Sequence, residues 1–352
     1  MKNRRIPNNM KKSSPCVLIR TDGSNEIGMG HVFRSITLAK DLKKQGCELH
    51  FLTSRNSQKF FKNLGQCHIT NNNQETELST IKKIKPSIFI LDILKKFFNY
   101  SNEYFTNIRK FVRVCVAIDF VSPALKYFDM SFHSLFDPKK YHAKQTFYDL
   151  KYAIVNSEFK KISKKYKLKK NISKFLILRG GSDTKCIGPK ILHSLQNFSS
   201  NVEIGIVLGP QFECWDKLNK EKLEFQNLKV FHNVKNMPNL MKNYQLAISA
   251  AGVTSTELLT IGIPTLIIYG DVHEKGTAEL LNKQKVALNI GYGKTLSQKT
   301  IRESIKHLMN DYDLRKNMYR NSKKILDGNG SIRITTKILD YYALLKESEK
   351  FD

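Results

Sequence analysis

The stretch Val17-Leu18-Ile19-Arg20-Thr21-Asp22-Gly23-Ser24-Asn25-Glu26-Ile27-Gly28-Met29-Gly30-His31-Val32 decides the fold. Val17 to Arg20 reads as a buried strand, and from Val32 to Gln45 apolar residues return at helical spacing. Between them lies a polar turn punctuated by glycine. A strand, a glycine-rich turn and a helix in that order open a βαβ unit of a parallel sheet. Such a turn lets backbone N–H groups approach a ligand, and the positive end of the helix dipole favours negative charge beside it. A dinucleotide fingerprint would need a third glycine where Phe33 stands. A nicotinamide cofactor is therefore not expected, and nothing else in the sequence calls for a cofactor or a metal.

Working outward, the same alternation continues. Glu48 to Thr53, Ser87 to Leu91 and Arg113 to Ile118 read as further buried strands. A Lys- and Ser-rich linker around 156 to 173 precedes a second series. It runs from a strand at Phe175 to Leu178 through a helix near 187 to 198 to strands at Val202 to Leu208 and Leu228 to Phe231. Leu246 to Ser249 leads to a helix from about Ser255 to Thr260, and Thr265 to Tyr269 follows. The tail from about 297 to 348 reads as helical with one break at Asp327-Gly328-Asn329-Gly330. A chain of 352 residues exceeds what one core usually serves. The expectation is an α/β, GT-B-like architecture: two Rossmann-like domains facing a cleft, with C-terminal helices closing the structure. Residues 1–14 are expected to form a flexible basic tail, 15–157 the N-terminal Rossmann-like domain, 171–330 the C-terminal one and 331–352 a C-terminal helix.

The apolar fraction of 41% and charged fraction of 26% are those of a soluble globular protein, and no run approaches the length of a membrane span. No signal-peptide core follows the basic tail. Cysteines at 16, 47, 67, 115, 186 and 214 show no metal or redox spacing and read as reduced thiols of a cytosolic protein. The net charge of +28 is spread along both halves, with its densest run between Lys160 and Lys170 and little aromatic interleaving. That pattern argues for a solvated surface and against a nucleic-acid partner, leaving at most weak attraction to an anionic membrane. A monomer or homodimer is expected.

Three loops carry candidate chemistry. In the first, His31 at a helix N-terminus suits a neutral base that activates water or a hydroxyl, since the positive helix end favours the neutral imidazole. A capping or buried structural histidine is the competing reading, which the flanking Gly28 and Gly30 disfavour. Asp22 either orients the imidazole or a substrate hydroxyl, or caps the loop. Arg34 is either an anion contact or a surface ion pair. The second loop, Gly180-Gly181-Ser182-Asp183, suits a phosphate or a sugar, or is an ordinary tight turn. In the third, the small residues Ala251, Gly252 and Thr254 let backbone close on a diphosphate, and Glu257 stands one turn in to accept ribose hydroxyls.

The stretch IRTDGSNEIGMGHVFRSITLA closely resembles the N-terminal signature of the UDP-2,4-diacetamido-2,4,6-trideoxy-β-L-altropyranose hydrolases of pseudaminic acid biosynthesis, a group that includes spore-coat polysaccharide glycosyltransferase-like proteins. The resemblance continues through LRGGSDTKCIGPKIL, HNVKNMPNLMKNYQLAISAAGVTSTELLTIGIPTLII and LDGNGSIRI, covering about residues 16 to 340. The later blocks also resemble the nucleotide-binding half of the undecaprenyl-muramyl-pentapeptide GlcNAc transferase. The resemblance implies a UDP-sugar bound between domains and transfer of its glycosyl group to water without a metal. His31 would be the water-activating histidine, and Gly252, Thr254 and Glu257 would hold UDP. A glycosyltransferase using a sugar hydroxyl as acceptor is the near alternative. The chain departs from the family pattern at Leu91-Asp92-Ile93-Leu94, Ile118-Asp119-Phe120, Asn156-Ser157-Glu158-Phe159 and Val272-His273-Glu274.

Overall fold

A computed structural model describes residues 14–24, 29–94, 98–181, 183–196, 198, 201–209 and 212–348. Two parallel sheets form it. The first contains β1 (Cys16–Thr21), β2 (Glu48–Thr53), β3 (Gln66–Ile69), β4 (Ile88–Asp92), β5 (Val114–Ile118), β6 (Met130–His133) and β7 (Gln145–Tyr148). The second contains β8 (Lys174–Leu178), β9 (Glu203–Leu208), β10 (Leu228–His232), β11 (Leu246–Ser249), β12 (Thr265–Tyr269) and β13 (Leu288–Tyr292). Their orders are β3-β2-β1-β4-β5-β6-β7 and β10-β9-β8-β11-β12-β13. In each sheet the order reverses once, between β1 and β4 and between β8 and β11. A doubly wound sheet opens a crevice at the C-terminal ends of the two strands flanking such a switch point.

The strands read as continuous apolar runs because helices cover both faces. Val17 and Ile19 pack to one side of β1, and Leu18 packs to the other with Leu52, Phe89 and Leu91. The helix Gly30–Lys44 buries Val32, Ser35, Leu38, Ala39 and Leu42 against the first face. It stops where Gly46 takes φ +84, with Gly46 N–H donating to the Lys43 carbonyl and Cys47 N–H to the Leu42 carbonyl. That is the Schellman arrangement, which needs the left-handed residue glycine supplies.

Some expectations change. The linker region is not bare chain: Ser157–Ser163 is helical, capped by Asn156 and held by buried Phe159, because Phe159 and Ile162 recur on one face. The C-terminal tail breaks twice, the extra break falling at Asp311, whose carboxylate caps the next helix, Tyr312–Ile325. The cysteines are not all free. Cys186 and Cys214 form a disulfide with Cα atoms 5.7 Å apart, because β8 and β9 are neighbours and the segments leaving them run side by side. No short motif spans their 28-residue separation.

The last helix, Gly330–Ser348, crosses back to pack against Gly30–Lys44, contributing Ile334, Ile338 and Tyr342 to the first core. Its first residue must be small, since a Cβ on Gly330 would sit 2.0 Å from the Ala153 carbonyl oxygen. Further contacts join the two halves. Leu150 and Ala153 share a cluster with Ala251, Leu259 and Ala278, and Thr277 Oγ1 donates to the Leu135 carbonyl.

Candidate active site

The first switch point brings the ends of β1 and β4 together, with Thr21 paired to Asp92. Asp92 closes a strand whose other residues are apolar and itself is wholly buried. An isolated carboxylate there would be costly, so its partners define the site. His31 Nδ1 lies 2.7 Å from Asp92 Oδ1, Arg34 Nε donates to both carboxylate oxygens at 2.9 Å, and Ser35 Oγ donates at 2.9 Å. His31, Arg34 and Ser35 share one helix face because they stand three and four residues apart. Burial pushes the Asp92 carboxyl up, but Arg34 and His31 outweigh it and hold it at about 2. Burial likewise opposes the charge on Arg34, and Asp92 and Asp119 more than restore it.

Asp119 extends the network. It stands just past β5 at φ +46, donates its N–H to the Phe132 carbonyl, and accepts from Arg34 at 2.7 Å and from the Ser134 and Leu135 N–H groups at 2.8 and 3.1 Å. Arg34 is thus held between two aspartates and is only 5% exposed, so the ion pair it makes is a buried one and not the surface pair that the sequence suggested. Arg34 Nη2 also lies 2.9 Å from His31 Nδ1; in the tautomer that carries its proton on Nδ1 and donates it to Asp92, Nε2 keeps its lone pair. Nε2 has no hydrogen-bond partner among the described residues.

Asp22, expected as a possible orienting group, sits elsewhere. It accepts from Ser54 Oγ at 2.5 Å, Ser57 Oγ at 3.2 Å and the Gly23 N–H at 2.9 Å, so it ties the loop after β1 to the loop after β2. The residue that orients the imidazole is Asp92. Gly30 opens the helix at the domain interface, where an added Cβ would meet Val253 Cγ2 at 3.3 Å. Gly28 lies outside the described residues.

That contact faces the first domain's switch point toward the second's. Leu178 pairs with Ser249, so the loops after β8 and β11 leave the sheet side by side. Gly252 precedes the helix Val253–Ile261 in an extended conformation; among the described residues no side chain caps that helix, and its first turn holds no acidic residue. The Ser255 N–H is bonded to the Gly252 carbonyl, so the N–H groups of Val253 and Thr254 and the helix dipole are what an anion would meet. Ala251 is packed in the core beneath it, and Thr254 is part-exposed with no side-chain partner among the described residues. Glu257, one turn in, also lacks a partner among them, and burial pushes its carboxyl up to about 8.

Gly180 and Gly181 are exposed, with open space where a Cβ would project, and Gly180 takes φ +78. Asp183 is occupied instead in capping the helix Ile187–Ser194, accepting from the Ile187 and Gly188 N–H groups at 3.0 and 2.7 Å. Ser182 lies outside the described residues. Beside this loop stands Arg179, 8% exposed, which donates to the Ile268 carbonyl and pairs through Nε with Asp183 Oδ1 at 3.6 Å.

Sequence reasoning missed Asp92 and Asp119 because it weighed their neighbourhoods as departures from a family pattern. The available signal was chemical: a lone aspartate ending each of two buried strands, Ile88–Asp92 and just after Val114–Ile118.

The fold is that of the GT-B proteins, two parallel sheets with paired switch points, as in the solved structures of Acinetobacter baumannii MurG and the spinosyn forosaminyltransferase SpnP. The chain belongs to glycosyltransferase family 28, whose C-terminal domain matches residues 153–330. It is 33% identical over 274 residues to the uncharacterized protein MJ1062 of Methanocaldococcus jannaschii, a match spanning 72% of this chain and 55% of that one. It is 25% identical over 334 residues to the spore coat polysaccharide biosynthesis protein SpsG of Bacillus subtilis, covering 92% of this chain and 98% of that one. The complex of S. aureus MnaA with UDP superposes with a TM-score of 0.68 at 11% identity, over 94% of this chain and 97% of that one. Among the described residues no helix is long and apolar enough to cross a membrane.

Proposed function

We propose that this enzyme cleaves the glycosyl bond of a UDP-linked diacetamido-trideoxy hexose by transfer to water, releasing UDP and the free sugar for synthesis of a pseudaminic-type acid. The observation that carries the reading is the buried His31–Asp92 pair at one switch point, facing the uncapped helix after Gly252 at the other. UDP-binding by the second domain is supported by the family match, by the MnaA complex with UDP, and by the unpartnered Glu257 one turn into that helix.

In this reading the first N–H groups of the helix Val253–Ile261 meet the diphosphate, the exposed backbone of Gly180 and Gly181 approaches it, and Glu257 accepts the ribose hydroxyls. His31 Nε2 removes a proton from water as its oxygen attacks the anomeric carbon. The bond from that carbon to the diphosphate oxygen breaks, and its electron pair leaves with UDP. Asp92 keeps the Nδ1–H tautomer and stabilises the imidazolium that forms. A positioned base of this kind contributes about 10²–10⁴ in rate, so positioning and charge stabilisation of the leaving diphosphate supply the rest. No step draws on a metal ion.

A transferase would need an acceptor hydroxyl in place of water. Incubation with a panel of UDP-sugars in the absence of acceptor separates the two. The hydrolase reading expects full-rate UDP release from one diacetamido-trideoxy donor, unstimulated by added Mg²⁺. Release only on adding a saccharide acceptor overturns it.

A further inference from the structure

At the opposite end of the first sheet, β1 and β2 begin with Cys16 paired to Glu48, and His50 follows two residues later on the same face. The thiol sulfur, a carboxylate oxygen and a ring nitrogen of these three residues lie within 4.8 Å of one another. His50 Nε2 is 3.1 Å from Glu48 Oε1, and its other nitrogen, Nδ1, is 3.0 Å from Nε2 of His68 on β3. The His50 and His68 rings are nearly parallel, at 14°. We propose that Cys16, Glu48 and His50 form a binding site for a single Zn²⁺ ion, with His68 as the group that orients His50.

Thiolate, imidazole and carboxylate are the donor set of a borderline-soft divalent ion. Tetrahedral Zn²⁺ with its usual bond lengths places donor atoms roughly 3.3–3.7 Å apart. The His50–Glu48 pair is already that close. The side chain of Glu48 is 65% exposed and free to swing the remaining distance toward Cys16. Zinc-bound histidines usually donate their second ring N–H to a fixed acceptor, and His68 Nε2 stands where that acceptor belongs. In the empty site the protons run the other way, from His68 Nε2–H to His50 Nδ1 and from His50 Nε2–H to Glu48. Binding moves the His50 proton to Nδ1 and the His68 proton from Nε2 to Nδ1, so that His50 Nδ1–H donates to His68 Nε2, and it releases the thiol proton, leaving one coordination position for water. The site lies about a strand length, roughly 15–20 Å, from His31. Its effect is to clip the start of β1 to β2, independent of the reaction proposed above.

The test uses the full chain, purified without reductant so that Cys186 and Cys214 stay paired, stripped with EDTA and titrated with Zn²⁺ against a chromophoric chelator and with Co²⁺ as a spectroscopic probe. One equivalent of Zn²⁺ with submicromolar affinity is expected, with a thiolate-to-cobalt charge-transfer band. Cys16→Ser should abolish that band and weaken Zn²⁺ at least 100-fold. His68→Ala should weaken it about 10–100-fold while keeping the band. Absence of stoichiometric binding at micromolar Zn²⁺, or binding that survives Cys16→Ser, overturns the proposal. His50→Gln should likewise weaken Zn²⁺ at least 100-fold; if it fails to fold, Cys16→Ser still decides, because it exchanges a single atom at the start of β1.

Discussion

Replacing Asp92 with Asn tests the site where stability and chemistry meet. The substitution keeps the shape and removes the charge. The introduced amide presents its N–H₂ toward His31, which turns Nδ1 into the acceptor and puts the ring proton on Nε2, where the base is needed. Loss of a positioned base predicts a fall in kcat of about 10²–10⁴. The KM for the UDP-sugar should change much less, because the UDP contacts lie on the other domain. Stability falls too. Breaking a buried ion pair costs about 3–5 kcal/mol, and Arg34 keeps Asp119, so the lower end is expected. The same carboxylate sets an acid limit. Its folded-state value of about 2 is depressed from 3.8, so its stabilisation is present above pH 4 and is lost as pH falls through about 2. The contribution at neutral pH is about 2 kcal/mol. Urea unfolding at pH 7 and pH 3 should show the gap between wild type and Asp92→Asn narrowing at the lower pH. Steady-state UDP release measures the rest. An Asp92→Asn enzyme within threefold of wild-type kcat, or one whose defect lies wholly in KM, would refute the assigned tautomer.

Glu257 is protonated near neutrality in the free protein, so if it accepts ribose hydroxyls as a carboxylate, UDP affinity should rise with pH up to about 8 and level off above it. Titration calorimetry in buffers of different ionisation enthalpy would detect the released proton, and Glu257→Gln should remove the slope while making the unliganded fold more stable at alkaline pH. Gly330→Ala should destabilise by about 1–3 kcal/mol, through collision with the Ala153 carbonyl, read as a lowered melting temperature. Reducing Cys186–Cys214 should cost about 3–4 kcal/mol for a loop of that length, and a melting curve unchanged by reductant would contradict it.

Much of the fold was legible because its signal is local. Val17–Arg20, Glu48–Thr53 and Leu246–Ser249 are apolar runs of strand length, and β2 and β11 appear where the sequence placed them. The turns after β1, β8 and β11 announce themselves by glycine. What stayed hidden depends on sheet order. That β1 neighbours β4, so that His31 meets Asp92 across 61 residues, follows from the switch point and leaves no mark in spacing. Asp22 drew attention by standing nine residues from His31, whereas the folded chain turns it toward Ser54 and Ser57. The Cys186–Cys214 bond was invisible for the same reason: only the adjacency of β8 and β9 brings the two thiols together.

Turnover in H₂¹⁸O reports whether His31 directs water to the anomeric carbon. Attack at carbon breaks the bond between the sugar and the diphosphate oxygen, so wild type should release unlabelled UDP. His31→Ala should lose release while keeping its UDP affinity. Appearance of ¹⁸O in the β-phosphate of UDP, or release that persists in His31→Ala, would contradict that role.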